Sequence, residues 1–184
     1  MPPPRFVTWQ RTDVRGLGTA RLVRDDGWAL DAHEIVTGRA PYAIYYGIDL
    51  TEDWRTDYVS LGITRRATSY GTSIEVDPDR AAWWISGRRR RALDGCVDVD
   101  IAATPATNTI SIRRLGLKVG QEAVIKVAWV DVPSLRVVPA EQGYRRIGRE
   151  TYEFWPVGGR TYRLTVDADG LVVDYEDFAE RIGD

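Results

Sequence analysis

Asp98 and Asp100, in the run Val97-Asp-Val-Asp-Ile101, are the residues whose type and spacing most readily suggest chemistry. Two positions apart on an extended strand, they project from one face about 6.6 Å from each other, at roughly 3.3 Å per residue. That is near the separation of the paired carboxylates in inverting glycosidases, so a hydrolase of glycosides or lipid esters is one reading. The competing reading is structural: the acids form the polar side of a half-buried strand whose other side is Val97, Val99 and Ile101. Catalytic acids ordinarily face each other across a cleft, and neighbours on one strand do not. The structural role is the expectation. One acid should accept hydrogen bonds from the loop Thr104-Pro-Ala-Thr-Asn-Thr109 or pair with Arg113 or Arg114, and such donors would lower its pKa.

Arginines supply the second candidate. Arg88–Arg91 follows Trp83-Trp84, a combination that could stack on bases and contact phosphates. Four like charges after a glycine turn at Gly87 are more ordinarily a solvated loop. If Arg113 and Arg114 come near them in space, a local anion site results, and the planar guanidinium fork would suit phosphate or sulfated-sugar headgroups. Asp167 through Glu176 partly mimics a calcium loop, but Thr165 stands where the first acid is needed and the flanks read as strands, so a hairpin turn is expected. His33 reads as a polar strand residue and Cys96 as a small buried hydrophobe.

Scarcity excludes other chemistry. One cysteine and one histidine permit neither an intramolecular disulfide nor a zinc site of Cys and His. Lysine chemistry could use only Lys118 or Lys126. There is no Gly-rich phosphate loop, nucleophile elbow or dinucleotide fingerprint, so no cofactor and no metal is expected. With 25 basic and 27 acidic residues the net charge is −2, which argues against a nucleic-acid partner. No apolar run approaches the roughly 18 residues of a membrane span, and MPPPRFVTWQ lacks a secretory apolar core. A cytoplasmic location is the corresponding expectation.

The elements that must position these residues are strands. Ala40, Tyr42, Ile44, Tyr46, Ile48 and Leu50 recur with period two, as do Val59, Leu61, Ile63 and, later, Ala123, Ile125, Val127, Trp129. Asp26-Gly27, Asp77-Pro78, Asp94-Gly95, Gly158-Gly159 and Asp169-Gly170 separate such runs as turns, the last joining Arg160–Asp167 to Leu171–Tyr175 as a hairpin. Only Asp177–Ile182 looks helical, with Phe178 and Ile182 four apart. The 184 residues read as one all-β, antiparallel domain, with residues 1–5 a flexible tail. Such a sheet must curl, close or stack to protect its edges. Seven tryptophans and nine tyrosines either fill its core or line a cavity in it.

Leu93-Asp-Gly-Cys-Val-Asp-Val-Asp100, Thr104-Pro-Ala-Thr-Asn-Thr109 and Arg113-Arg-Leu-Gly-Leu117 together resemble the core signature of a glycolipid-binding bacterial family. Val127-Ala-Trp-Val-Asp-Val-Pro133 and Asp167-Ala-Asp-Gly-Leu-Val-Val-Asp-Tyr175 resemble its later blocks, and Trp9–Arg11, Asp26-Gly-Trp28 and Trp54-Arg55 also fit. The likeness implies a spiral β-roll, or incompletely closed barrel, of many antiparallel strands with one or two short helices, similar in shape to bacterial lipoprotein and lipid carriers. It carries no catalytic residue onto this chain. Those carriers are exported, whereas this sequence shows no leader. The function implied is non-catalytic binding of a lipid or glycolipid in an apolar groove, a task that needs no general base, nucleophile or metal. Tyr42, Tyr46, Trp54, Trp84 and Trp129 are the expected lining, with Arg113 and Arg114 at the headgroup. Two alternatives stand beside it: the hydrolase using Asp98 and Asp100, and a protein-interaction module with a filled core.

Overall fold

Alternation of apolar and polar side chains decides most of the backbone. The computed structural model describes residues 4–183, and these form one fifteen-stranded sheet with a single α-helix. The first half contributes β1 (Arg5–Arg11), β2 (Gly16–Asp25), β3 (Gly27–Val36), β4 (Tyr42–Leu50), β5 (Thr56–Arg65), β6 (Thr68–Asp77), β7 (Ala82–Ile85) and β8 (Arg88–Arg89). After a 3₁₀ turn at Arg91–Leu93 come β9 (Asp98–Ile101) and helix α1 (Asn108–Leu115). The chain ends with β10 (Glu122–Val130), β11 (Val137–Arg146), β12 (Thr151–Pro156), β13 (Tyr162–Val166), β14 (Val172–Tyr175) and β15 (Ala179–Ile182). Of the expected flexible tail, residues 1–3 lie outside the described residues and Arg5 opens β1.

The strands run across the sheet in the order β8 to β1, then β15 down to β9. Two meanders therefore meet at their first and last strands, β1 and β15, and the outer edges are β8 and β9, consecutive along the chain. The link between those edges folds back onto the first meander: Thr56 N–H, at the start of β5, reaches Val97 O at 3.4 Å, and Gly95 N–H reaches Ala81 O, just before β7, at 3.3 Å. The sheet thus rolls without closing into a barrel, which protects both edges from intermolecular pairing.

Two expectations are corrected. Asp177–Ile182 is not helical. Ala179–Ile182 is a strand that pairs with β1 on one side and β14 on the other, filling what would be a gap in the middle of the sheet. Six residues cannot hold a helix by themselves, and the paired edges supply the backbone partners instead. The helix, Asn108–Leu115, begins within the polar loop expected at Thr104–Thr109 and runs past its end. Its first five residues are all buried, so no polar face marks it in the sequence, and its β-branched Thr109, Ile110 and Ile112 favour helix weakly. It ends at Gly116, whose φ of 53° permits the left-handed cap that donates to Ile112 O. Its presence follows from topology. β9 runs parallel to β10, an exception to the antiparallel pattern, and a parallel pair requires a crossover.

The interior falls into two parts. Trp9, Ile44, Tyr46, Ile48, Ile63, Trp83, Val99 and Ile110 belong to the larger core, closed by hydrogen bonds from Trp83 Nε1 to Cys96 O and from Trp9 Nε1 to Val172 O, each 2.9 Å. Ile112, Tyr144, Tyr152, Phe154, Leu164 and Val172 form a second cluster beneath α1. In β4, Ile44, Tyr46, Ile48 and Leu50 point inward as their spacing predicts, with Tyr42 half-buried, whereas Ala40 precedes the strand and is exposed. The expected Asp169-Gly170 hairpin forms between β13 and β14, with Asp167 Oδ1 accepting the backbone N–H groups of Asp169 and Leu171.

Candidate binding site

Helix α1 separates two cavities, and the acids of β9 set its position. Asp98 is fully buried; its Oδ1 accepts from Arg114 Nε at 2.6 Å, and its Oδ2 accepts from Arg114 Nη2 at 2.9 Å and Ser111 Oγ at 2.7 Å. This bidentate pair pins α1 onto the sheet. Asp100, one step along the same face, accepts Thr107 Oγ1 at 2.8 Å and Gln142 Nε2 at 2.5 Å. Contrary to the lowering expected for an acid so supplied with donors, the Asp100 pKa is raised. Burial outweighs the two hydrogen bonds, and the neighbouring Asp98 charge adds to it.

Asp100 and Gln142 line a cavity of about 490 Å³ at the N-terminal end of α1. Trp129, paired across from Asp100 in the β9–β10 ladder, forms part of its wall. Phe154, Tyr162, Tyr175 and Phe178 form an aromatic chain opposite, with ring centres 5.9 Å apart for Phe154–Tyr175, 5.7 Å for Tyr162–Tyr175 and 4.8 Å for Tyr175–Phe178. Arg11 stacks on Phe178 at 4.0 Å and Arg160 on Tyr162 at 4.5 Å, holding two of the rings from behind. Thr104, Asn108 and the acids Asp13 and Asp177, which pair with Arg11 and Arg160, complete the polar lining. Gln142 is 3% exposed, and because its Nε2 is committed to Asp100, its Oε1 is left without a donor among the described residues. A buried acceptor without a partner is costly, and a ligand hydroxyl is one group that would satisfy it.

Behind this wall, Glu34 is buried beside Arg11 and Thr104. Burial pushes its carboxyl up to about 7, against the opposing pull of the Thr104 hydroxyl and the Arg11 guanidinium. Tyr46 donates to Thr104 Oγ1 at 2.8 Å from the core side.

The residues singled out in the sequence are dispersed by the fold. Tyr42 is half-buried near Arg11, and Tyr46 is buried in the larger core; neither lines either of the two cavities beside α1. Trp84 lies half-buried near the β8 edge under Arg89, which also pairs with Asp94. Trp129 lines the larger cavity, whereas Trp54 and Arg113 meet in the second one, their guanidinium and ring 5.0 Å apart. Arg114 is taken up by Asp98. The arginines of β8 and of α1 therefore have separate partners. The residues missed were Gln142, Asn108, Phe154, Tyr162, Tyr175 and Phe178. Tyr152 and Phe154, alternating in β12, and the facing tyrosines of the last hairpin were the signal available; an amide such as Gln142 in a strand gives none.

The profile of a family described as "Putative glycolipid-binding" matches residues 6–181. The chain belongs to this family. The glycolipid-binding family member is also similar to a solved structure, a DUF1089 family protein from Pseudomonas aeruginosa. That chain is 27% identical, with a TM-score of 0.81 over 90% of this chain and 92% of the other. No curated protein matches in sequence. Among the described residues of this family member, no helix is long and apolar enough to cross a membrane.

Two outcomes follow from the site's electrostatics. Arg114→Leu strands a buried carboxylate and should lower unfolding free energy by about 3–5 kcal/mol in urea titration. Combining it with Asp98→Asn should restore part of the loss. Glu34 is protonated more readily in the folded chain than at its ordinary value of 4.5. Its contribution to stability therefore declines as pH rises from about 4.5 to 7 and is level above. In thermal melts, the advantage of Glu34→Gln over the wild type should widen across that interval and then stay constant.

Proposed function

We propose that the protein binds a glycolipid-like amphiphile, with the sugar end seated in the cavity between Trp129 and the Phe154–Tyr162–Tyr175–Phe178 wall. The observation that carries this reading is the aromatic-lined cavity with Asp100 and Gln142 at its polar end, where Gln142 Oε1 has no donor among the described residues. Sugars present both faces that such a cavity accepts: C–H patches that lie against rings, and hydroxyls that donate to buried oxygens. Asp100 and Gln142 supply acceptors for those hydroxyls, and Thr104 and Asn108 add polar groups to the same lining. The volume suits a small ligand or the head of a larger one. Ala102, Ala140 and Pro156 offer an apolar path for an alkyl chain. The family's description supports the same ligand class.

The concave face of β1 to β7, where Tyr42 and Tyr46 were expected to meet ligand, is packed by the larger core. The binding locus accordingly shifts to the β9–β14 half. The Asp98–Asp100 pair is a poor basis for hydrolysis, because Asp98 is sealed and both its oxygens are engaged. Asp100 remains to bind rather than to act with a second acid.

Calorimetric titration with an alkyl glucoside below its micelle concentration, against the alcohol of the same chain length, tests this directly. The glucoside should bind and the alcohol should not. Gln142→Leu should weaken the glucoside by at least about tenfold, the equivalent of one charge-free hydrogen bond. Equal affinity for both compounds, or an unchanged affinity in Gln142→Leu, would overturn the assignment.

A further inference from the structure

At the C-terminal end of α1 lies the second cavity, of about 370 Å³, and its chemistry is the reverse of the first. Arg113, Arg146 and Arg149 converge on it, with Trp54 and Tyr152 among its lining. Among the described residues, Arg113 and Arg146 have no carboxylate partner, whereas Arg114, Arg149 and Arg181 each have one. Arg146 is held rigid. Its Nε donates to Gly148 O at 3.2 Å, its Nη1 to Leu117 O at 2.9 Å, and its Nη2 to Arg149 O. Those three bonds leave two of its five N–H groups uncommitted. The Arg113 guanidinium lies over the Trp54 ring, 5.0 Å from its centre, a contact that leaves its N–H groups free to donate. Its stem runs across Gly170, where an added Cβ would meet Arg113 Cδ at 2.9 Å.

Two acids also border the cavity, and neither cancels this charge. Asp167 gives Oδ1 to two backbone N–H groups and Oδ2 to Arg181 at 2.9 Å and Arg5 at 3.5 Å. Glu150 is exposed and reaches Arg149 at 3.7 Å. Two guanidinium groups without a carboxylate partner in one concavity offer the charge and the planar donors that a tetrahedral oxyanion takes.

We infer that this cavity is a phosphate-binding subsite, with Arg113 and Arg146 as its principal donors, distinct from the sugar cavity at the other end of the helix. The same chemistry fits a free phosphate or a phospholipid headgroup. Titration of the full chain with inorganic phosphate at constant ionic strength, followed through the Arg113 and Arg146 Nε–H resonances, addresses the first source. Vesicles of phosphatidylcholine with and without phosphatidic acid address the second. Saturable shifts of both resonances with phosphate support a soluble ligand, and binding confined to the acidic vesicles supports the headgroup. Arg113→Gln should weaken whichever binds by at least tenfold, Arg113→Lys should recover only part, and Arg65→Gln should change nothing. Glucoside affinity should be untouched in Arg113→Gln, so the two sites fail or stand separately. Absence of response to both probes, or an unaltered affinity in a normally melting Arg113→Gln, would overturn the inference.

Discussion

A carboxylate with no access to water is the constraint around which this half of the molecule is arranged. Asp98 sits at the edge strand β9, and a charge so placed persists only with a partner that neutralises it and fills its lone pairs. Arg114 and Ser111 do both, and both belong to α1. An eight-residue helix rich in β-branched side chains does not stand alone in water. The ion pair and the packing of Ile110 and Ile112 are what hold it against the sheet. Since both ends of α1 contribute to cavity walls, the position of one buried pair fixes the geometry of two sites.

The sheet divides labour in a corresponding way. From β1 to β7 the inward side chains meet one another in a filled core, and the rings there serve packing. From β9 to β14 the helix occupies the middle of the concave side and leaves space at either end. One end pairs aromatic rings with hydrogen-bond acceptors; the other presents unpaired guanidinium groups. A molecule with a neutral polyhydroxyl head and one with an anionic head would thus be discriminated by charge alone.

What could be read from the sequence followed from local rules. The alternation from Tyr42 to Leu50 and the Asp169-Gly170 turn each encode their structure within a few residues, and both formed as expected. The β-rich single domain, rolled and unclosed, followed from the same alternation together with the family likeness. Asn108–Leu115 escaped because its first five residues are buried whether polar or apolar, which blurs the amphipathic signature of so short a helix. Pro105 and Gly116 were nonetheless present as its punctuation. Ala179–Ile182 escaped because one of its two partners, β1, lies at the other end of the chain, and nothing local records that pairing. The candidate site was legible only in part. Asp98 and Asp100 stood out as acids and Trp129 as an aromatic, but Gln142 gains its meaning only when β11 brings it to Asp100.

The most direct test of this account is a crystal structure of the protein with a short-chain alkyl glucoside. The sugar should lie between Trp129 and Tyr175, with one hydroxyl donating to Gln142 Oε1 and another near Asp100. A glucoside bound elsewhere, or a well-ordered sugar in that cavity that leaves Gln142 Oε1 without a donor, would contradict it.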